Sequence, residues 1–385
     1  EGAKIDERRP TLVILAGVDG RHSGGSSVAL GLLGKLATKR PEAIREVDLV
    51  IIPCVNPDRI AEVWGGHSYL ENGTNAVARE SAKDDADRDR RLDEDGPIDV
   101  NGDGLVTQMR VKRPLPTWLR GVAANEVIEP DEPRLMKRAS AAKGERGEYA
   151  VLTEGKDQDG DGLIGEDGPM GVDLGSNFPY HWPEFDDLSG PTPLSEPESR
   201  ALADWLLAHP EVVAVLEYGP NDNLVNTPAA SEGKMDPTGE APQSGRVLDD
   251  DRQWFELVSA QYKDVTGIKS AGGIARSFDG SLQGWAYAQL GIASFVTPGW
   301  VRPEPPKEAT AEKAEGSEGV EKDKENEKTK KKKVIDSEDG RWLTYHDARV
   351  AGGDPPGFLD WKPFVHPQFG PVEICLLYTS PSPRD

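Results

Sequence analysis

Four short apolar runs rich in branched residues constrain this chain most: Thr11–Val18, Val47–Val55, Val212–Tyr218 and Ile292–Val296. Each is too short for a buried helix and is closed by turn residues, such as Asp19-Gly20 or Pro298-Gly299, which reads as a strand buried on both faces. Between them lie segments with helical spacing. Val28, Leu30, Leu32, Leu33 and Leu36 follow a cap expected at Ser26 or Ser27, and Ser195 with Glu198 predicts a capping box ahead of Ala201, Leu202, Trp205 and Leu206. Asp251–Val265 and Ser281–Leu290 read as two further amphipathic helices. Strands alternating with helices predict an α/β fold.

The rest of the chain is polar. Of 385 residues, 36% are hydrophobic and 29% charged, so the core must sit in a few segments. Residues 71–166 are Gly-rich and charged without sustained periodicity, apart from a short strand predicted within Gly104–Val111, and read as a surface insertion of about 71–170. Residues 303–335 are Glu, Lys, Ala and Pro ending in KTKKKK, and read as a disordered charged loop. The closing CLLYTSPSPRD, 375–385, breaks composition and reads as a non-native tail. One domain over 1–374 is the expected organisation.

A net charge of −23 argues against nucleic acid as a partner. No run of about 18 apolar residues exists, which argues against a transmembrane segment. The chain begins at Glu1, so a leader has been removed or the sequence is a fragment, and a secreted or periplasmic place is expected.

Two segments carry a metal signal. Asp99, Asn101 and Asp103, and again Asp157, Asp159 and Asp161, follow Asp-x-Asx-x-Asp-Gly, the first half of a calcium loop. Position twelve is Arg110 in one and Gly168 in the other, so the bidentate glutamate is missing. Glu166 or Asp167 can close the second loop, and Asp93 or Asp95 the first only by folding back. Plain acidic turns are the competing reading.

Five segments, in order, resemble the carboxypeptidase A type zinc carboxypeptidases: AGVDGRHSGGSSVALGLL, Asn56-Pro57-Asp58, GVDLGSNFPYHW (Gly171–Trp182), Val215–Tyr218 and SFVTPGW (Ser294–Trp300). The closing Phe358–Ile374 also resembles the end of bacterial members with calcium-like loops. The resemblance implies a three-layer α/β/α fold with a mixed sheet of about eight strands. It also implies a zinc held by His-x-x-Glu and a later histidine. Those positions hold Asp19, His22 and Glu217 here, with Arg21 kept between the first two. The substrate-holding Asn-Arg pair is Gly175-Ser176, and the catalytic glutamate falls near Thr297 and Pro298.

One imidazole and two carboxylates can hold zinc or another divalent metal, yet three simultaneous exchanges need not leave their lone pairs converging. Three ordinary polar residues in a retained cleft are the alternative. Without the general base alone, hydrolysis slows by about 100- to 10,000-fold. The expected function is therefore that of a degenerate member, a pseudoenzyme binding peptide or cell-wall peptide. Two others stay open: a metal-dependent hydrolase using Asp19, His22 and Glu217, and a calcium-stabilised structural or surface protein. No Gly-x-Ser-x-Gly elbow supports serine catalysis.

Overall fold

The computed structural model describes residues 9–19, 23–39, 42–64, 98–103, 106–164, 172–229, 245–270, 278–302, 338–353 and 360–375. These residues form two compact units, one within Glu1–Asp93 and Asp167–Val301, the other within Glu94–Glu166 and Arg302–Ser380. The charged run 303–335, the tail beyond Cys375, His22 and Arg21 lie outside the described residues, as does all of 71–97. Cys375, assigned to the tail from sequence, ends a strand.

The first unit is built on the apolar runs. They form strands β1 (Thr11–Ala16), β2 (Asp48–Ile52), β7 (Val212–Tyr218) and β8 (Ala293–Thr297), all parallel, in the order β2-β1-β7-β8. Among the described residues this sheet has four strands, fewer than the roughly eight expected. Helices α1 (Ser23–Thr38), α2 (Pro57–Trp64), α3 (Pro197–Ala208), α4 (Asp249–Thr266) and α5 (Leu282–Leu290) complete the unit. Val13, Leu15 and Val215 from the sheet, Leu202 and Leu206 from α3, and Leu282 and Trp285 from α5 share one core with Phe178, whose ring stacks on Trp285 at 5.7 Å.

Two helix starts differ from the sequence reading. α1 begins at Ser23, so Ser26 sits buried in its first turn instead of capping it. The capping box at α3 is not made: Glu196 is the N-cap, without a side-chain bond, and Pro197 opens the helix. The Ser195 hydroxyl is taken instead by Asn177 and Glu196. α5 starts as expected, with Ser281 accepting the Gly284 N–H.

The second unit corrects the reading of 71–166 as a surface excursion. Strands β3 (Gln108–Lys112), β4 (Glu126–Ile128), β5 (Met136–Arg138), β6 (Tyr149–Thr153), β9 (Lys362–His366) and β10 (Gly370–Cys375) form one antiparallel sheet in the order β5-β4-β6-β3-β10-β9. Its core is small: Met109, Val111, Val372 and Ile374, with Leu115, Leu152 and Phe364 against them. Of its strands only β3 was expected, as the short strand within Gly104–Val111, and it buries Arg110. That guanidinium bonds Glu373 at 2.8 Å and lies over the Trp361 and Tyr149 rings, 4.4 and 5.1 Å from their centroids. A helix α6 (Glu338–Ala351) belongs to the same unit and is tied to Arg134, which bonds both oxygens of Asp347.

The β9–β10 turn is closed by His366, which is buried. Its Nε2 lies 2.9 Å from the Gly155 carbonyl, while Nδ1 accepts the Gln368 and Phe369 N–H groups, so these partners assign the proton to Nε2. Burial, with the Lys156 charge beside it, holds its pKa below the ordinary histidine value against the Gly155 bond. The folded state therefore resists a proton that the unfolded chain accepts near pH 6.5. This contribution is present above about pH 6.5 and lost as pH falls through the folded value. Urea midpoints for the second unit are expected to fall from pH 7.5 to 5, and His366→Gln, weaker at pH 7.5, is expected to show a smaller fall. Equal acid losses in both proteins would contradict this role.

Candidate active-site cleft

The parallel register brings the carboxyl ends of three strands together: Leu15 pairs with Glu217, Glu217 with Val296, and Tyr218 with both Ala16 and Thr297. Ligands of open α/β sheets bind beyond such strand ends. Asp19 follows β1, Glu217 stands near the end of β7, and Thr297 closes β8 before Pro298. Asp19, Glu217 and Thr297 are all buried. At Gly299 the chain turns with φ 71°, and a Cβ there would come within 2.6 Å of the Tyr218 ring.

Glu217 is 5% exposed. The Gln283 amide, on the first turn of α5 and also buried, donates to Glu217 Oε2. Oε1 lies over Gly219, where any side chain would collide with it. Desolvation pushes the Glu217 pKa up to about 8; the Gln283 bond opposes this, and the charges of Asp19 and Asp173 add to it.

The loop GVDLGSNF supplies the neighbouring wall. Asp173 caps a single 3-10 turn, Leu174–Ser176, by accepting the Gly175 N–H at 2.8 Å. Ser176 Oγ donates to the Asp173 carbonyl and receives the Ser189 hydroxyl at 3.1 Å. Gly175 and Ser176 thus present no cationic fork for a carboxylate. The loop is pinned by Asn177, fully buried: Nδ2 bonds Ser189 O, Thr192 O and Ser195 Oγ, and Oδ1 accepts the Ser199 hydroxyl at 2.5 Å and the Glu196 N–H.

Beyond Gln283 lies a small cavity lined by Tyr180, Phe255, Phe278 and Tyr287, with Asn223 and Arg246 as its polar groups. The residues that sequence reasoning missed are Gln283, Asn177 and Asp173. The last two lie inside the recognised motif, whereas nothing marks Gln283 before the fold sets α5 against β7.

The zinc that the resemblance implies needs three converging donors and an open position. Asp19 and Glu217 are buried at the strand ends and the Gln283 amide bonds Glu217, while His22, the third candidate donor, lies outside the described residues.

The two Asp-rich loops lie in the second unit. Asp157, Asp159 and Asp161 bring carboxylate oxygens within 4.8 Å of one another, the one such group of three among the described residues, and can hold a metal ion. Each also accepts a backbone N–H of its own loop, from Gly160, Asp161 and Leu163. In the first loop Asp99 and Asn101 likewise accept N–H groups of Gly102 and Asp103. Arg110, at position twelve, is committed to Glu373. The first loop is organised from below by Glu154, fully buried, which accepts the Val100, Asn101 and Thr107 N–H groups and the Thr107 hydroxyl at 2.9–3.1 Å.

Residues 134–304 match the profile of the family described as zinc carboxypeptidase. That segment, under half of the chain, is similar to the zinc carboxypeptidases. Among solved structures it is similar to carboxypeptidase A from Helicoverpa armigera, at 16% identity over 76% of this chain and 52% of that one, with a TM-score of 0.39. It is also similar to bovine thrombin-activatable fibrinolysis inhibitor in complex with tick carboxypeptidase inhibitor, at 15% identity over 75% of this chain and 71% of that one, TM-score 0.36. The chain thus spans about half the length of the Helicoverpa protein. No curated protein sequence matches it. Among the described residues, no helix is long and apolar enough to cross a membrane.

Proposed function

We propose that this zinc carboxypeptidase-like protein binds a peptide, or a cell-wall peptide, in the retained cleft without hydrolysing it efficiently. The observation that carries the reading is the end of β8, where Thr297, Pro298 and Gly299 leave no carboxylate to take a proton from water. The Gly175-Ser176 wall supports it, since a substrate's terminal carboxylate meets no guanidinium there. A secreted or periplasmic place goes with this reading.

The test is calorimetric titration of the protein with short peptides and muropeptides, the same mixtures then being followed by mass spectrometry. Saturable binding with intact peptide is expected. No binding to any of them overturns the reading, and so does release of C-terminal residues at the rate of an active carboxypeptidase. Such release, if abolished by Asp19→Ala and Glu217→Gln, would instead establish the altered-ligand hydrolase using Asp19, His22 and Glu217.

The Asp157–Asp161 group supports a second role, a calcium ion stabilising the second unit. Binding to the folded state alone raises stability by about 2.7 kcal/mol at a calcium concentration 100 times the Kd. Millimolar calcium is therefore expected to raise the Tm of the second unit, and Asp159→Asn to abolish the rise. An unchanged Tm would remove calcium from the account. The Asp99–Asp103 loop, which offers two carboxylates and one amide, is expected to contribute less.

A further inference from the structure

We infer that Gln283 has taken over the bond that the third ligand position would otherwise give to a metal, so that the Glu217–Gln283 pair closes this corner of the cleft as a metal-free hydrogen bond. The inference rests on the proposed non-hydrolytic reading and names the side chain that makes it structural.

Three observations carry it. Glu217 lies on β7 with β1 on one side and β8 on the other, so its side chain is fixed by register rather than by a mobile loop. One carboxyl oxygen, Oε2, receives the Gln283 amide, and Gly219 leaves room beside the other, where a Cβ would collide with Oε1. Gln283 is itself held, because α5 is started by the Ser281 cap and anchored through Leu282, Trp285 and Ala286, all buried. A buried amide and a buried carboxyl satisfy each other, and separating them leaves two unpaired polar groups. A cation entering here would have to break that bond and strand the Gln283 amide among Tyr180, Asn223 and Tyr287.

The test compares the full chain with Glu217→Gln, a change that keeps shape and hydrogen bonding while removing a metal ligand. Both proteins are equilibrated with excess zinc, passed over a desalting column and assayed for zinc per chain by mass spectrometry; the difference between them cancels any ion held by the Asp-rich loops. Equal zinc content is expected. One further zinc per chain in the unchanged protein overturns the inference. A second variant guards against misfolding: Gln283→Leu is expected to lower the Tm of the first unit, with zinc failing to restore it, whereas restoration by zinc would show that the carboxyl is available to metal. Peptide binding measured on the same samples separates the two claims, since zinc uptake with intact binding and no cleavage sinks only the present inference.

Discussion

Replacing Glu154 by alanine is expected to destabilise the second unit by roughly 3–5 kcal/mol, since each buried donor left unsatisfied costs about 1–3 kcal/mol. Four donors converge on this carboxylate, from Val100, Asn101 and both the backbone and side chain of Thr107. Burial raises its pKa while those donors lower it, so the group is kept by its bonds against its desolvation. Alanine leaves three N–H groups without partners inside the fold, and the Asp99–Asp103 loop loses its support. Glu154→Gln keeps the volume but turns an NH2 group toward donors, so only part of the loss is recovered. Urea unfolding, read by hydrogen exchange across residues 98–112, measures both. A change below about 1 kcal/mol in the alanine variant, the worth of a single ordinary hydrogen bond, would contradict the assignment.

Asn177→Ala is expected to be similarly costly in the first unit, roughly 3–5 kcal/mol, since buried groups left unsatisfied cost about 1–3 kcal/mol each. The side chain uses its whole bonding capacity, donating to Ser189, Thr192 and Ser195 and accepting from Glu196 and Ser199. Its loss frees the Leu174–Ser176 turn from the segment that opens α3. Peptide affinity is expected to fall with stability, because that turn forms one wall of the cleft. A variant with wild-type stability and weakened binding would place Asn177 in direct contact with ligand instead.

The parts of the fold legible in the sequence are those where one physical signal dominates. Thr11–Ala16 and Val212–Tyr218 are apolar throughout or nearly so because each lies between two parallel neighbours, and both were predicted within a few residues. The antiparallel sheet as a whole escaped because its strands are three to six residues long: only β3 was expected, within Gly104–Val111, and the Arg110 it buries makes sense only with Glu373 and Trp361, more than 200 residues away. Local motifs misled where a distant partner competes for the same atom: Ser195 reads as a helix cap until Asn177, 18 residues earlier, claims its hydroxyl. The site divides in the same way. Asp19, Glu217, Gly175 and Ser176 were proposed from their position within recognised segments; all four lie in the first unit, with Asp19 and Glu217 close enough for the charge of one to shift the other. Gln283 could not be found, because the bond that gives it meaning joins a strand to a helix 66 residues later.

The central claim is that the carboxypeptidase-like scaffold persists here without its catalyst. The most direct test is the release of C-terminal amino acids from a set of blocked dipeptides and longer peptides, in excess zinc, beside an active carboxypeptidase at the same concentration. Release at least about 100-fold slower than the active enzyme, the lower bound for losing a general base, is the expected result. Release at a comparable rate, lost in Glu217→Gln, would contradict the claim.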